Sequence, residues 1–321
     1  MHFRIPLLPR LAGALALAAL PGGCGRRGVE GAPGVGRAAD ARPVVALVLK
    51  TLNHPYFIDM QRGAEEAART ARVELIVQAA EREIDVERQM EIIENLIQRH
   101  VDALVIAPSG SREIVPVIIK ANRAGIPVII VDTRVDAPAL RAAGGRIVTF
   151  VGSDNYEGGR IAGSFLAERM QGRARIAVLE GIPGHETGDA RLRGFRDAIA
   201  GRAGLVIVAS QPANWERDQG YNVCQNILQA HPDVNALFAA NDLMALGALE
   251  AIAAAGRGGR ITVVGFDALD EARQAVKQGT MAGTVAQDPA QMGRAGIEAA
   301  ARILRGGSVP PEIGVPIQLV H

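Results

Sequence analysis

The chain has 321 residues, 48% hydrophobic and only 3% aromatic, with a formal net charge of +1. That length supports two domains, each with its own core. Six Arg and two acidic residues fall within residues 1–42, leaving 29 basic against 32 acidic residues in the body, and a mildly acidic body carries no electrostatic footprint for nucleic acid.

Arg4 and Arg10 precede the apolar run Leu11–Leu20, and Pro21-Gly22-Gly23-Cys24 follows. A basic start, a short apolar core and small residues before a cleavage point predict an export signal over 1–24. The run is too short to span a bilayer. Cys24 after two glycines resembles the lipobox of bacterial lipoproteins, although Pro21 stands where that pattern usually has Leu. Lipidation of Cys24 and plain signal cleavage nearby both fit, and lipidation would be the chain's one attachment to a membrane. Residues 25–42, rich in Gly, Ala and Arg, read as a flexible tether.

From Pro43 the periodicity predicts strand 43–49, helix 55–72, strand 73–78, helix 84–99, strand 102–107, helix 111–124 and strand 127–131. An irregular stretch with Gly144 and Gly145 leads to strand 147–151. The pattern restarts with helix 155–171, strand 174–180, helix 187–201, strand 204–209, helix 216–230 and strand 234–239. Helix 242–255, strand 261–265, helix 268–278, strand 282–286, helix 289–305 and a last strand near 315–320 complete it. Strands alternating with helices indicate an α/β chain with parallel sheets and right-handed crossovers. More than ten strands exceed what one twisted sheet holds comfortably, so two doubly wound lobes are expected, with a ligand between facing strand ends.

The buried-looking runs end on polar residues: Lys50, Asp132, Asn241, Asp267, and Gln287 with Asp288 beside it. Leu104–Ala107 is the exception, ending in Pro108 and Ser109. Ligands bind past the carboxyl ends of such strands. Amides and carboxylates there suit a neutral polyhydroxylated ligand, whose hydroxyls need multidentate polar partners. Of eleven aromatics, Tyr56 and Phe57 directly follow the first strand and the only tryptophan, Trp215, follows another. One flat apolar platform per half could sandwich a sugar ring, although each aromatic alone also fits ordinary packing. Asp132, Asn241 and Asp267 also fit helix caps or turns; Asn241 and Asp242 compete to cap the following helix, and a cap by Asp242 would leave Asn241 to face the ligand.

Catalytic signatures are missing where they can be checked. The loop Gly181-Ile182-Pro183-Gly184-His185-Glu186-Thr187-Gly188 lacks the Lys-Ser/Thr ending of a phosphate-binding loop, and neither G-x-S-x-G nor H-E-x-x-H occurs. The six histidines form no i, i+4 pair, so no metal or other cofactor is expected. Cys224, inside a helical pattern, reads as a small buried thiol.

Leu47-Val48-Leu49-Lys50-Thr51-Leu52-Asn53-His54-Pro55-Tyr56-Phe57 resembles the first strand and loop of periplasmic sugar-binding proteins of the ribose-binding type. Ala209–Trp215, Ala240–Ala248 and Val264-Gly265-Phe266-Asp267 resemble the same family, in order and at the right spacing, and the likeness runs from about residue 43 to 320. Lactose-repressor-type proteins share this fold but begin with a helix-turn-helix headpiece, where this chain has an export signal. Val48-Leu49-Lys50-Thr51-Leu52 and Asp136–Thr149 look closest to the D-allose-binding branch. Ribose-binding members typically carry Ser at position 50, Asn at 107 and Arg at 133, where this chain has Lys50, Ala107 and Thr133.

The resemblance implies a type I periplasmic binding protein fold: two lobes joined by three hinge crossings, near Ser153-Asp154, Gln287-Asp288 and Pro316-Ile317. The lobes would comprise 43–153 plus 288–316 and 154–287 plus 317–321. It implies ligand contacts from Lys50, Tyr56, Phe57 and Asp132 in the first lobe, and from Arg191, Trp215, Asn241, Asp267 and Gln287 in the second lobe and hinge. Arg191 read alone would be a solvated arginine, as Arg193 and Arg196 are expected to be. His54 stands where the family usually has Asn and is expected to tune which epimer fits, together with Lys50. The expected function is non-catalytic: an exported, monomeric substrate-binding component, in the periplasm or on the outer face of the cytoplasmic membrane, delivering an aldose to an ABC permease. Rival readings are a sugar or furanosyl-signal sensor for a chemoreceptor or histidine kinase, and a sugar-modifying enzyme on an α/β scaffold.

Overall fold

The computed structural model describes residues 42–321; the expected export signal over 1–24, Cys24 and the tether up to residue 41 lie outside the described residues. Strands and helices alternate as β1 (Val44–Thr51), α1 (Pro55–Ala71), β2 (Glu74–Ala80), α2 (Val86–Gln98), β3 (Ala103–Ile106), α3 (Val115–Arg123), β4 (Val128–Val131), α4 (Ala137–Ala142) and β5 (Thr149–Gly152). The chain continues through α5 (Asn155–Arg169), β6 (Ala174–Glu180), α6 (Glu186–Ile199), β7 (Leu205–Pro212), α7 (Arg217–Ala230), β8 (Ala236–Ala239), α8 (Asp242–Ala254), β9 (Thr262–Asp267), α9 (Asp270–Lys277) and β10 (Gly283–Ala286). It closes with α10 (Pro289–Leu304), β11 (Glu312–Gly314) and β12 (Gln318–Val320).

Two six-stranded sheets result, ordered β11-β5-β4-β3-β1-β2 and β12-β10-β9-β8-β6-β7. The inner strands β1, β3, β4, β8 and β10 are buried at every position, which is why they read as continuous apolar runs rather than alternating ones. Apolar clusters cover both faces of each sheet. In each sheet the strand order reverses beside the lobe's first strand, at β1 and at β6. Such a reversal opens a crevice at the carboxyl ends of the strands. Lys50, Asp132, Asn241, Asp267 and Gln287 all stand at those ends.

The path passes between the sheets three times: from β5 to α5, from β10 to α10, and from β11 to β12. Although α10 follows a strand of the second sheet, it docks on the first lobe beside α1. Glycines make that seam close. A Cβ on Gly63 would overlap the Ala290 carbonyl oxygen, and one on Gly293 would overlap the Met60 carbonyl oxygen.

Three local expectations need correction. The strand expected near 315–320 forms only at its end, as β12, which joins the second sheet antiparallel to β10, and a short strand just before that range, β11, extends the first sheet parallel to β5. The sheets are therefore parallel-dominated rather than wholly parallel, because a short return segment at a sheet edge needs no crossover. The stretch after Asp132 contains α4, capped by Asp136, whose carboxylate accepts from Ala139 N at 2.8 Å. Six residues are too few for a helical period to show in the sequence.

Candidate functional site

The first lobe contributes a buried ion cluster and an aromatic corner. Lys50 Nζ, carried by β1, lies 3.0 Å from Asp132 Oδ2 and 3.7 Å from Glu83 Oε2, and donates to Thr133 Oγ1 at 2.8 Å. Tyr56 Oη donates to the other Asp132 oxygen at 2.9 Å. His54 caps α1, its Nδ1 accepting from Tyr56 N at 3.1 Å. The His54, Tyr56 and Phe57 rings meet edge to face, with centroids 5.2–6.1 Å apart. Such mutual packing fixes ring directions better than area burial alone.

The second lobe answers with Arg191, Asp267 and Trp215. Arg191 rises from α6 and is buried; its Nε donates to Asn155 Oδ1 at 2.8 Å and its Nη1 to the Ala240 carbonyl at 2.6 Å. Nη1 also lies 3.5 Å from Asp267 Oδ1, and the guanidinium sits over the Phe266 ring at 3.7 Å. Gln287 Nε2 donates to Asp267 Oδ1 at 2.8 Å. The Trp215 indole fills a slot made by the loop after β6, where a Cβ on Gly181 would overlap the ring. Arg193 and Arg196 on the same helix lie exposed.

These groups enclose a chamber of about 30 Å³ lined by Lys50, His54, Tyr56, Phe57, Glu83, Asp132, Thr187, Arg191, Trp215, Asn241 and Asp267. That is room for roughly one or two waters. The fold thus brings together nine of the ten residues singled out in the sequence, and the tenth, Gln287, touches the chamber through Asp267. A larger crevice of about 730 Å³ opens at the hinge, also touching Asp267 and Gln287. The smaller chamber is the candidate site, because buried charged side chains meet Tyr56, Phe57 and Trp215 there.

Asn241 both lines the chamber and takes the helix cap for which it competes with Asp242. Its Oδ1 accepts from Met244 N at 2.9 Å, so Asn241 rather than Asp242 caps α8, while its Nδ2 holds the Trp215 carbonyl at 3.0 Å. Asp242 is buried behind the cleft, accepting from Thr284 Oγ1 and Leu269 N at 2.8 Å each. Cys224 is a buried thiol pushed up to about 12 by burial.

Electrostatics divide the carboxylates. Burial would raise Asp132, but the Lys50 charge and hydrogen bonds from Lys50 and Thr133 hold it below its ordinary range. Burial pushes Glu83 up to about 7 and Asp267 up to about 6, opposed by Lys50 and Arg191 respectively. Burial and Lys50 bring His54 down to about 4, so its ring is neutral near pH 7. Two cations and carboxylates of mixed ionisation leave the chamber close to neutral. Among the described residues, no group of three or more His, Cys, Asp or Glu side chains is placed to hold a metal ion.

Asp132, Trp215 and Asp267 share positive φ angles of 65°, 69° and 107°. Such backbone costs about 1–3 kcal/mol per residue and persists where surrounding contacts over-determine it, a pattern that clusters at functional sites.

The sequence reading missed Glu83, Thr187, Thr133 and His185. Glu83 follows edge strand β2, whose half-exposed residues hide its partnership with β1. Thr187 meets Thr133 at 3.0 Å across the cleft, and Glu186 N donates to Ser111 Oγ at 3.2 Å. The lobes are therefore closed on each other.

A model of the periplasmic binding protein domain matches residues 45–308. The chain belongs to the periplasmic binding protein family. The D-allose-binding periplasmic protein of Escherichia coli is 35% identical to this family member over 275 residues, covering 85% of this chain and 88% of the relative. The D-ribose/D-allose-binding protein of Pseudomonas aeruginosa is 38% identical over 286 residues, 87% and 89% of the two chains. A periplasmic binding protein of an Actinobacillus succinogenes ABC transporter, solved with bound D-allose, is 41% identical with a TM-score of 0.82, covering 87% of this chain and 97% of its own.

Proposed function

We propose that this chain is the exported substrate-binding component of an ABC-type sugar importer, taking one aldose between its lobes. One observation carries the reading. Buried donors and acceptors from opposite lobes, Lys50 and Asp132 against Arg191 and Asp267, converge between the Tyr56–Phe57 corner and Trp215. Hydroxyls match the ionised groups, C–H faces match the rings, and near-neutral total charge matches an uncharged ligand. The relatives and neighbours named for D-allose and D-ribose support the same ligand class.

The closed chamber is too small for a sugar ring, so the lobes must part and Lys50 and Arg191 must trade protein partners for hydroxyls. Closure then buries the ligand and presents to a permease a surface that the open form lacks. Binding works as this signal only because the sugar contacts both lobes at once, favouring the closed state. Nothing in the mechanism breaks a bond. The chain acts outside the cytoplasm, where its import partner receives it.

The test is a titration of the single-tryptophan protein against pentoses, hexoses and polyols, read by Trp215 emission. The expected result is a saturable change with at least one aldose, with the sugar recovered unchanged. A Trp215→Ala protein should lose tight binding by calorimetry. Flat titrations across the panel, or conversion of a sugar to product, would remove this reading.

A further inference from the structure

Asp267 stands on a turn that its own sequence does not favour. Asp267 and Ala268 both have positive φ, 107° and 54°, with no glycine at either position. Such backbone persists only where surrounding contacts over-determine it. The turn also borders the hinge crevice of about 730 Å³, so on that side hydrogen bonds rather than packing must fix it. Those bonds come from behind the cleft. Ala268 N donates to Thr284 Oγ1 at 3.1 Å, and Leu269 N donates to Asp242 Oδ2 at 2.8 Å. Thr284 has a single O–H, and it goes to Asp242 Oδ1 at 2.8 Å. Consecutive amides of the turn are thus tied to one fully buried carboxyl in the first turn of α8, where the helix N-terminus favours negative charge. Gly265 leaves room for that carboxyl, since a Cβ there would overlap Asp242 Oδ1. A further bond, from Arg273 Nε to the Ala268 carbonyl at 2.8 Å, holds the turn from α9.

We propose that Thr284, backed by Asp242, is a positioning residue that holds the Asp267 carboxylate in the cleft and so sets how well it reads a sugar hydroxyl. This rests on the reading of Asp267 as a ligand contact. Thr284 and Asp242 are fully buried and neither lines the chamber, so their effect must run through the turn. Asp267 Oδ1 accepts from Gln287 Nε2 at 2.8 Å while it faces Arg191 Nη1 at 3.5 Å. A rotation of the 267–269 backbone would carry it off both. A carboxylate displaced by about 1 Å keeps its charge near the ligand but loses hydrogen-bond geometry.

The test separates the hydroxyl from the volume it fills. Thr284→Val keeps the shape and breaks both links of the hydroxyl, whereas Thr284→Ser keeps both. The readouts are the dissociation constant for D-allose and the titration midpoint of the Asp267 carboxyl carbon, followed by NMR without sugar; thermal unfolding confirms that each variant is folded. Thr284→Val should weaken D-allose about tenfold, as expected when a charge-assisted hydrogen bond loses its geometry, and Thr284→Ser should stay within about threefold of the parent. In an Asp267→Asn background Thr284→Val should cost less than about threefold, because its effect passes through the residue already changed. The Asp267 midpoint should move by at least about 0.5 pH in Thr284→Val as the Arg191 and Gln287 contacts change. Affinity within twofold of the parent in Thr284→Val, equal losses in the two backgrounds, or no recovery in Thr284→Ser overturns the proposal. If the parent protein itself fails to bind D-allose, the reading of the cleft as a site for that sugar falls, while the Asp267 midpoint still decides whether Thr284 holds Asp267, and an unmoved midpoint overturns that too.

Discussion

Replacing Lys50 with methionine isolates the electrostatic centre of the first lobe. Methionine keeps the buried stem but deletes the charge that lies 3.0 Å from Asp132 and 3.7 Å from Glu83. At an effective dielectric of ~20, a pair at the shorter separation attracts by about 5 kcal/mol. Desolvation offsets much of this in the intact pair, yet removing one partner strands the other and costs about 3–5 kcal/mol. Asp132 would keep only Thr133 and Tyr56 as donors. Glu83, already pushed up to about 7, would take a proton instead and add little to the cost. Urea unfolding at pH 7.5 should therefore show Lys50→Met losing at least 3 kcal/mol (approximate, from the range for a broken buried pair). The double variant Lys50→Met/Asp132→Asn should recover about 2 kcal/mol of that, since no carboxylate is left unpaired. The loss should also shrink at lower pH, as the stranded Asp132 protonates in the folded state. A loss below about 1 kcal/mol, or single and double variants that add within about 0.5 kcal/mol, would refute the pairing.

Glu83 has a folded value raised from 4.5 to about 7, so the folded state holds a proton that the unfolded chain releases. Its stabilising contribution is present below pH 4.5 and lost as pH rises through 7; Glu83→Gln should match the parent at pH 4.5 and exceed it at pH 8.5 by about 3 kcal/mol, whereas parallel stability profiles would contradict this. His54 and His185, both brought down to about 4, act oppositely: stability is present above 6.5 and lost as pH falls toward 4. His54→Asn should flatten that acid limb in chemical denaturation, and an unchanged limb would assign the proton uptake elsewhere. Gly181→Ala drives a methyl into the Trp215 ring, so emission should shift and sugar affinity fall at least tenfold (an order-of-magnitude expectation for overpacking), with Gly188→Ala, whose Cβ would lie 3.1 Å from the indole, much milder. Equal effects from the two glycines would argue against a slot built around the indole.

The strand-end residues were legible because buried parallel strands write themselves as apolar runs, and the first polar residue after such a run has few places to point. Lys50, Asp132, Asp267 and Gln287 follow that logic. Neighbouring polar residues defeat it. Asn241 and Asp242 both suit a helix start, and only the turn geometry, with the Trp215 carbonyl within reach of Asn241, decides which one caps. Glu83 was hidden because β2 is an edge strand whose mixed burial gives no clean run. Thr187 owes its role to Thr133 in the other lobe, and contacts between lobes leave no local period in the chain. The same holds for the final segment, where the chain crosses from β11 in one sheet to β12 in the other and each strand has only three residues, too few to show a period.

The most direct measurement is a crystal structure of the protein grown with the tightest-binding aldose of the panel. The ring should lie between Trp215 and the Tyr56–Phe57 corner, with hydroxyls within about 3.2 Å of Asp132, Arg191 and Asp267. Sugar density confined to the hinge crevice beside Asp59, Arg273 and Pro316, with Lys50 still paired only to protein carboxylates, would contradict the account.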